Sequence, residues 1–255
     1  MTDLTAALKE YAARSPLVVA SDFDGVLAPI VADPMAARAL PSSLAALRAL
    51  ADLDQVTVAL VSGRDLSTLR HLTGLAEDEP IVLIGSHGAQ SSDPQLIAAE
   101  FDAAARQRLD AAEAVIAGVA AAHPGSRVEG KPTGVVLHTR GMPAEQEEAA
   151  LRDAREKAAA LEEVVVIAGK SILEVQVVDV SKGAALQALS TSRDAAATLY
   201  LGDDRTDETA FEALSGDPAN VTIKVGDGDT AAAFRVADPQ GVAETLTTLT
   251  GVLAR

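Results

Sequence analysis

The sequence predicts an α/β fold: a Rossmann-like core on a parallel sheet, interrupted by an inserted α+β domain. Three observations carry this. Short continuous apolar runs, Leu17–Ala20, Val56–Val61 and Ile81–Ile84, each end in a small polar turn. Continuous rather than alternating runs belong to strands covered on both faces. After about Ser92 the pattern becomes helix–strand–strand, twice over, as in an α+β unit with a mostly antiparallel sheet. From Ser181 the strand–turn–helix pattern returns. The core is therefore assigned to residues 1–100 and 178–255, and the insert to residues 101–177.

Taken in order, Leu4, Ala7, Leu8 and Tyr11 recur at helical spacing, so Thr5–Arg14 reads as a helix stopped by Pro16. The first strand follows, then a loop marked by Pro29 and Pro34. Ser42 or Ser43 reads as the N-cap of a helix facing inward through Leu44, Leu47 and Leu50. The second strand leads through Ser62-Gly63-Arg64 into a helix with Leu66, Leu69 and Leu72. The third ends in Gly85-Ser86-His87-Gly88. In the insert, Phe101–Ala121 and Ala144–Leu161 read as helices. Arg127–Gly130 and Gly134–Thr139, split by Pro132, read as strands, as do Val164–Ala168 and Ile172–Val177, split by Gly169-Lys170. Ser181-Lys182-Gly183 opens a helix, Thr198–Leu201 is a strand ending in an acidic run, and a helix with Phe211, a strand Val221–Val225 and a last helix complete the chain.

Composition narrows the function. The chain has 255 residues and is 48% apolar, which supports a proper core. Aromatics are only 2%, with no tryptophan, which argues against single-stranded nucleic-acid binding by stacking. A formal charge of −16 without a Lys/Arg cluster argues against duplex nucleic acid or an anionic membrane as partner. There is no cysteine, hence no disulfide, thiol nucleophile or Cys-ligated zinc. The N-terminus lacks a basic stretch followed by an apolar one, and no apolar run approaches the ~20 residues of a spanning helix. A soluble, cytoplasmic monomer is expected.

The chemistry gathers where strands end, the usual place for sites on open α/β sheets. Asp22 and Asp24 stand two residues apart after the first strand, so both project to one side, and Gly25 lets the backbone turn and approach a ligand. Two carboxylates this close repel unless a cation or proton is shared. Magnesium, a hard oxygen-seeking cation, is the usual solution. One carboxylate can then serve as nucleophile and the other as general acid and base. Each element has a plain alternative: a solvated Asp-x-Asp-Gly turn, Ser62 as a helix N-cap, Lys182 as a solvated lysine, and Asp203–Glu208 as acids favoured by a helix dipole. Their conjunction, in this order, makes up the parts of a magnesium-dependent phosphoryl-transfer site. His71 and His123 have no such company.

These motifs resemble those of the haloacid dehalogenase superfamily of phosphohydrolases: Asp22-Phe23-Asp24-Gly25-Val26, Ser62, Lys182 and Gly202-Asp203-Asp204-x-x-Asp207. The narrower resemblance is to the trehalose-6-phosphate phosphatase family. It rests on Asp22–Pro29, Ser62-Gly63-Arg64, Gly85-Ser86-His87-Gly88-Ala89, Glu129-x-Lys131 with His138-x-Arg140, Gly169-Lys170-x-x-x-Glu174 and Gly202–Glu208. Val26 stands where threonine is commoner. The resemblance implies a hydrolase core whose inserted cap supplies substrate specificity. In it Asp22 is the nucleophile and Asp24 the acid and base. Mg2+ is held by Asp22, Asp203 and the backbone carbonyl of Asp24, while Asp204 and Asp207 orient Lys182, waters or the metal. Ser62, the Gly63 amide and Lys182 hold the phosphate. Arg64, His87, Gly88, Glu129, Lys131, His138, Arg140 and Glu174 bind the sugar. His138 and Arg140 are expected to share a strand face, as are Glu129 and Lys131. The rival readings are another sugar phosphatase of the superfamily, a phospho-accepting signalling domain, and a catalytically silent sugar-phosphate sensor. The length of the chain, the insert and Asp24 count against the signalling domain.

Overall fold

The computed structural model of the chain describes residues 4–96, 103–131, 133–169, 171–177 and 181–254. Phe101, Pro132 and Lys170, all used above, lie outside the described residues. Two units are distinguished, Met1–Ala98 with Ser181–Arg255, and Ala99–Val180.

The first unit begins with α1 (Leu4–Ala12), β1 (Leu17–Ser21), α2 (Pro41–Ala51), β2 (Val56–Val61), α3 (Leu66–Thr73), β3 (Ile81–Gly85) and β4 (Gln90–Ser91). The second unit supplies α4 (Ala103–Ala122), β5 (Arg127–Lys131), β6 (Gly134–His138), α5 (Ala144–Ala158), β7 (Val165–Gly169) and β8 (Ile172–Gln176). The first unit resumes with α6 (Lys182–Ser192), β9 (Ala197–Gly202), α7 (Glu208–Leu214), β10 (Val221–Val225), β11 (Phe234–Val236) and α8 (Pro239–Leu253).

In the first unit the sheet runs β11-β10-β9-β1-β2-β3-β4. All neighbours are parallel except β3 and β4. Alternation along the strands splits the core. Leu17, Val19, Val58, Leu60, Leu199 and Leu201 pack with residues of α1, α2 and α8. Val18, Ala20, Ala59, Val61 and Tyr200 pack with residues of α6 and α7. Of the few aromatics, Tyr11, Phe23, Tyr200 and Phe211 are buried and Phe234 is half-buried. Tyr11 satisfies its hydroxyl by donating to the Val18 carbonyl at 2.7 Å.

One local expectation is corrected, and one of the plain alternatives falls away. Neither Ser42 nor Ser43 caps α2: the helix starts at Pro41 with Leu40 in the cap position, and Ser43 is buried inside it. Proline at the first helical turn needs no donor and comes with its φ already set, so it overrides the serines. The helix after β2 is capped by Asp65, which accepts from the Thr68 amide at 3.0 Å, and this leaves Ser62 outside the helix.

In the second unit β5-β6-β8-β7 form an antiparallel sheet. Val135, Leu137, Leu173 and Val175 face α4 and α5. By alternation the opposite face carries Glu129, Lys131, Val136, His138, Glu174 and Gln176, set side by side by the register Glu129↔Val136↔Glu174. Arg140 is not on this face as a strand residue: β6 ends at His138, and Arg140 lies exposed in the turn beyond it.

Candidate active site

The site is built at the C-terminal ends of β1, β2, β3 and β9, where adjacent parallel strands release their chains together. Asp22 follows β1 directly and its amide donates to the Leu201 carbonyl of the neighbouring strand at 2.9 Å. Its carboxylate is buried; Oδ1 accepts from the Phe23 amide at 2.6 Å and Oδ2 from Lys182 Nζ at 2.8 Å. Burial pushes the Asp22 carboxyl up to about 8, against the pull of Lys182 and with the push of Asp207.

Lys182, the first residue of α6, is 1% exposed. Its ammonium bridges Asp22 and Asp207, the latter at 2.7 Å. Burial alone would lower its pKa, but the two carboxylates hold it above the ordinary lysine range, so it stays charged. Asp207 uses all its acceptor capacity internally. Oδ1 takes Lys182 and the Tyr200 hydroxyl, the latter at 2.6 Å; Oδ2 takes the amides of Asp203 and Asp204 at 2.9 and 3.0 Å. A carboxylate has about four lone-pair sites, so Asp207 braces the loop.

Asp24 is held differently from Asp22. Arg64 grips both its oxygens through Nε and Nη2, each at 2.8 Å, in the bidentate geometry that fixes a carboxylate's plane. Ser62 is buried, and its hydroxyl accepts from the Arg64 amide at 3.2 Å. The turn after β3 clasps this corner: the Ser86 amide donates to the Arg64 carbonyl and the His87 amide to the Ser62 carbonyl. Ser86 and His87 both have positive φ, 50° and 57°, which costs about 1–3 kcal/mol per residue and tends to mark functional turns. The strain lays the His87 ring over Gly63: a Cβ on Gly63 would sit 2.6 Å from His87 Cε1. Gly88 follows, also at positive φ.

The donor set suits a hard cation. Asp22, Asp204 and Asp207 offer carboxylate oxygens within 4.8 Å of one another. Asp207 is saturated, whereas Asp22 accepts one hydrogen bond per oxygen and the hydrogen bonds to Asp204 fall on Oδ1. The Asp203 carboxylate lies against Gly25, where an added Cβ would be 1.9 Å from Oδ2. Burial first, and the charges of Asp207 and Asp204 next, push Asp203 up to about 6. Asp22, Asp24, Ser62, Lys182, Asp203 and Asp204 line one pocket. Gly25 itself has φ +74°, so Gly25→Ala is expected to cost roughly 1–2 kcal/mol for the left-handed backbone and to displace Asp203. Denaturant unfolding beside an activity assay checks this, and wild-type behaviour in both would refute it.

In the second unit, Lys131 Nζ donates to Glu174 Oε2 at 2.9 Å and Gln176 Nε2 to Glu174 Oε1 at 3.0 Å. His138 Nε2 meets Glu129 Oε2 at 2.7 Å. These four ionisable residues form a polar platform on the face of the sheet away from α4 and α5.

Two residues that sequence reasoning missed belong to the core site. Tyr200 lies within an apolar strand and reads as a core residue, yet its hydroxyl is tied to Asp207. Lys224 is buried in β10 and donates to the carbonyls of Asp203 and, at 2.8 Å, Val225. A lysine inside a buried strand was the available signal, since lysine is almost never fully buried without a reason.

Comparison with known proteins agrees with this arrangement. The family model described as trehalose-phosphatase matches residues 20–240. The chain is 37% identical over 248 residues to a trehalose-phosphate phosphatase of Mycobacterium bovis, covering 91% of this chain and 60% of that protein. It is likewise 37% identical over 264 residues to one of Mycolicibacterium paratuberculosis, covering 94% and 63%. The chain thus spans about 60% of the length of the curated relatives it matches. Among solved structures, Aspergillus fumigatus trehalose-6-phosphate phosphatase superposes with a TM-score of 0.77 at 27% identity, over 98% of this chain and 97% of that one. Among the described residues no helix is long and apolar enough to cross a membrane. With its residues 20–240 matched and the motif carboxylates, serine and lysine gathered in one pocket, the chain belongs to the trehalose-phosphatase family.

Proposed function

We propose that the chain hydrolyses trehalose 6-phosphate to trehalose and inorganic phosphate, with Mg2+ as cofactor. The observation that carries this reading is the placement of Asp22, buried at a strand end, with Lys182 on one oxygen and Asp24 beside it in the same pocket. Asp22 attacks the phosphorus and becomes an aspartyl phosphate. Once Arg64 turns from Asp24 to the substrate, Asp24, protonated, gives its proton to the departing 6-oxygen and then takes one from the water that hydrolyses the intermediate. The Ser62 hydroxyl, the Gly63 amide and the Lys182 ammonium hold the phosphate oxygens and offset their charge. Asp22, Asp203 and the Asp24 carbonyl would hold the cation, with Asp204 alongside; when bound, it neutralises phosphate charge and screens the carboxylates from one another. Sugar recognition is assigned to Glu129, Lys131, His138, Arg140 and Glu174 of the second unit, and to Arg64, His87 and Gly88 of the first. Buried donors and acceptors matched to hydroxyls discriminate strongly between sugars.

The test is phosphate release from trehalose 6-phosphate, beside sucrose 6-phosphate and other sugar phosphates, with added Mg2+. Equal turnover of the whole panel would replace this reading with a general sugar phosphatase, and no turnover with a sensor. Chelation by EDTA is expected to remove activity and Mg2+ to restore it; undiminished hydrolysis in metal-free buffer would exclude the metal. Glu174→Ala is expected to lower kcat/KM for trehalose 6-phosphate by about ten- to a hundredfold, the value of one charged hydrogen bond. It should spare a small aryl phosphate, and equal losses on both substrates would make Glu174 a purely structural residue. A cytoplasmic, monomeric enzyme acting on a small molecule completes the proposal; sizing of the purified protein and cell fractionation test these parts.

A further inference from the structure

Lys224 is a buried cation that, among the described residues, has no carboxylate within ion-pairing distance, although its charge pulls the Asp203 carboxyl down. Its side chain is 5% exposed, its hydrogen bonds go to two main-chain carbonyls, and among the described residues it forms no ion pair. A buried ammonium is expensive unless its surroundings use it, so its partners show what it is for.

One partner is the carbonyl of Asp203. The register places Lys224 opposite Gly202, the last residue of β9, so the lysine reaches over the point where the chain leaves the sheet and enters the acidic run. The peptide group between Asp203 and Asp204 is then gripped at both ends: its oxygen by Lys224 and its nitrogen by Asp207 Oδ2. Asp203 and Asp204 flank that peptide, so its orientation sets where both carboxylates point. Gly202 leaves room for this arrangement, since a Cβ there would meet Asp207 Cβ at 2.4 Å.

We propose that Lys224 is a positioning residue for divalent-cation binding: by tethering the Asp203–Asp204 peptide it aims the acidic run at the cation. This rests on the reading of the pocket as a cation site. A role for Lys224 through its charge alone predicts the opposite sign, because removing a positive charge beside acids would tighten cation binding.

Isothermal calorimetry of Mg2+ binding to the purified protein, without substrate, separates the two. Lys224→Met keeps the bulk and removes the donors, and is expected to weaken Mg2+ about ten- to a hundredfold, as residues that support metal ligands usually do. Lys224→Gln retains an amide donor without the charge and is expected to lose roughly three- to tenfold, less than methionine because the tether is partly kept. Lys9→Met, at an exposed position, makes the same change in net charge and should bind like wild type. Circular dichroism establishes that each variant is folded, and either Lys224 variant decides alone if the other is not. Unchanged or tighter Mg2+ binding in a folded Lys224 variant, against a binding wild type, overturns the tether. A wild-type protein that does not bind Mg2+ overturns the cation site itself, and the tether with it.

Discussion

Asp22→Asn is expected to abolish phosphate release, by on the order of ten-thousandfold or more, as removal of a nucleophile does in other covalent catalysts. An amide does not attack phosphorus, and it offers a cation a weaker ligand. The fold should not suffer. In the absence of a cation, burial and the nearby Asp207 charge hold the Asp22 carboxyl up at about 8, so the folded protein gains little from ionising it. The asparagine keeps the shape, and its one oxygen can accept from Lys182, but its NH2 then faces the Phe23 amide, which loses its acceptor. Removing a buried carboxyl that is costly to ionise offsets that lost acceptor, so thermal unfolding without metal should stay close to wild type while activity vanishes, the pattern of a residue kept for function. Retained turnover would eliminate the covalent mechanism.

Asp207→Ala is expected to fail in both respects. The carboxylate accepts from Lys182, Tyr200 and two backbone amides. Deleting it leaves a buried hydroxyl and two amides without their acceptor, and an ammonium with one partner instead of two. Breaking a buried ionic network from one side costs about 3–5 kcal/mol, on the order of 10 °C in a chain of this size. Activity should be lost with it, because the acidic run is no longer braced. A variant with wild-type melting temperature would show that Asp207 does not hold the loop, and would return it to consideration as a direct metal ligand. Measured together, the two substitutions distinguish reaction from scaffold at positions that touch the same lysine.

The contrast also shows what was legible in the sequence. The parallel core was readable because its strands are unbroken apolar runs, and the reactive groups stood out because they interrupt the pattern where each run ends: Asp22 after Ala20, Ser62 after Val61, Asp203 after Leu201. Side-chain partnerships were not readable. Nothing local pairs Arg64 with Asp24, which lie forty residues apart. Tyr200 was hidden because tyrosine is an ordinary strand residue, and its role depends on a loop seven residues on. Serine propensity points to Ser42 or Ser43 as the cap of α2, but Pro41 starts the helix one residue earlier. Strand β11 has only three residues, too few for a period to register. A period of two puts Arg140 on the face of His138 only if the strand continues, and β6 stops at His138.

The position of β1 in the sheet has a consequence for how the protein is made. Its partners are β2 on one side and β9 on the other, and β9 begins only at Ala197. At about 5–20 residues per second, the ribosome needs on the order of ten seconds or more to supply that second partner. Throughout that interval one edge of a wholly apolar-to-small segment, Leu17–Ser21, has no strand to join, while the second unit, whose described strands pair among themselves, is synthesised in between. Nascent chains halted before Ala197 should therefore carry an unfinished half-sheet and depend on holding chaperones. Asp22 and Lys182 would be drawn into register only by the closing segment.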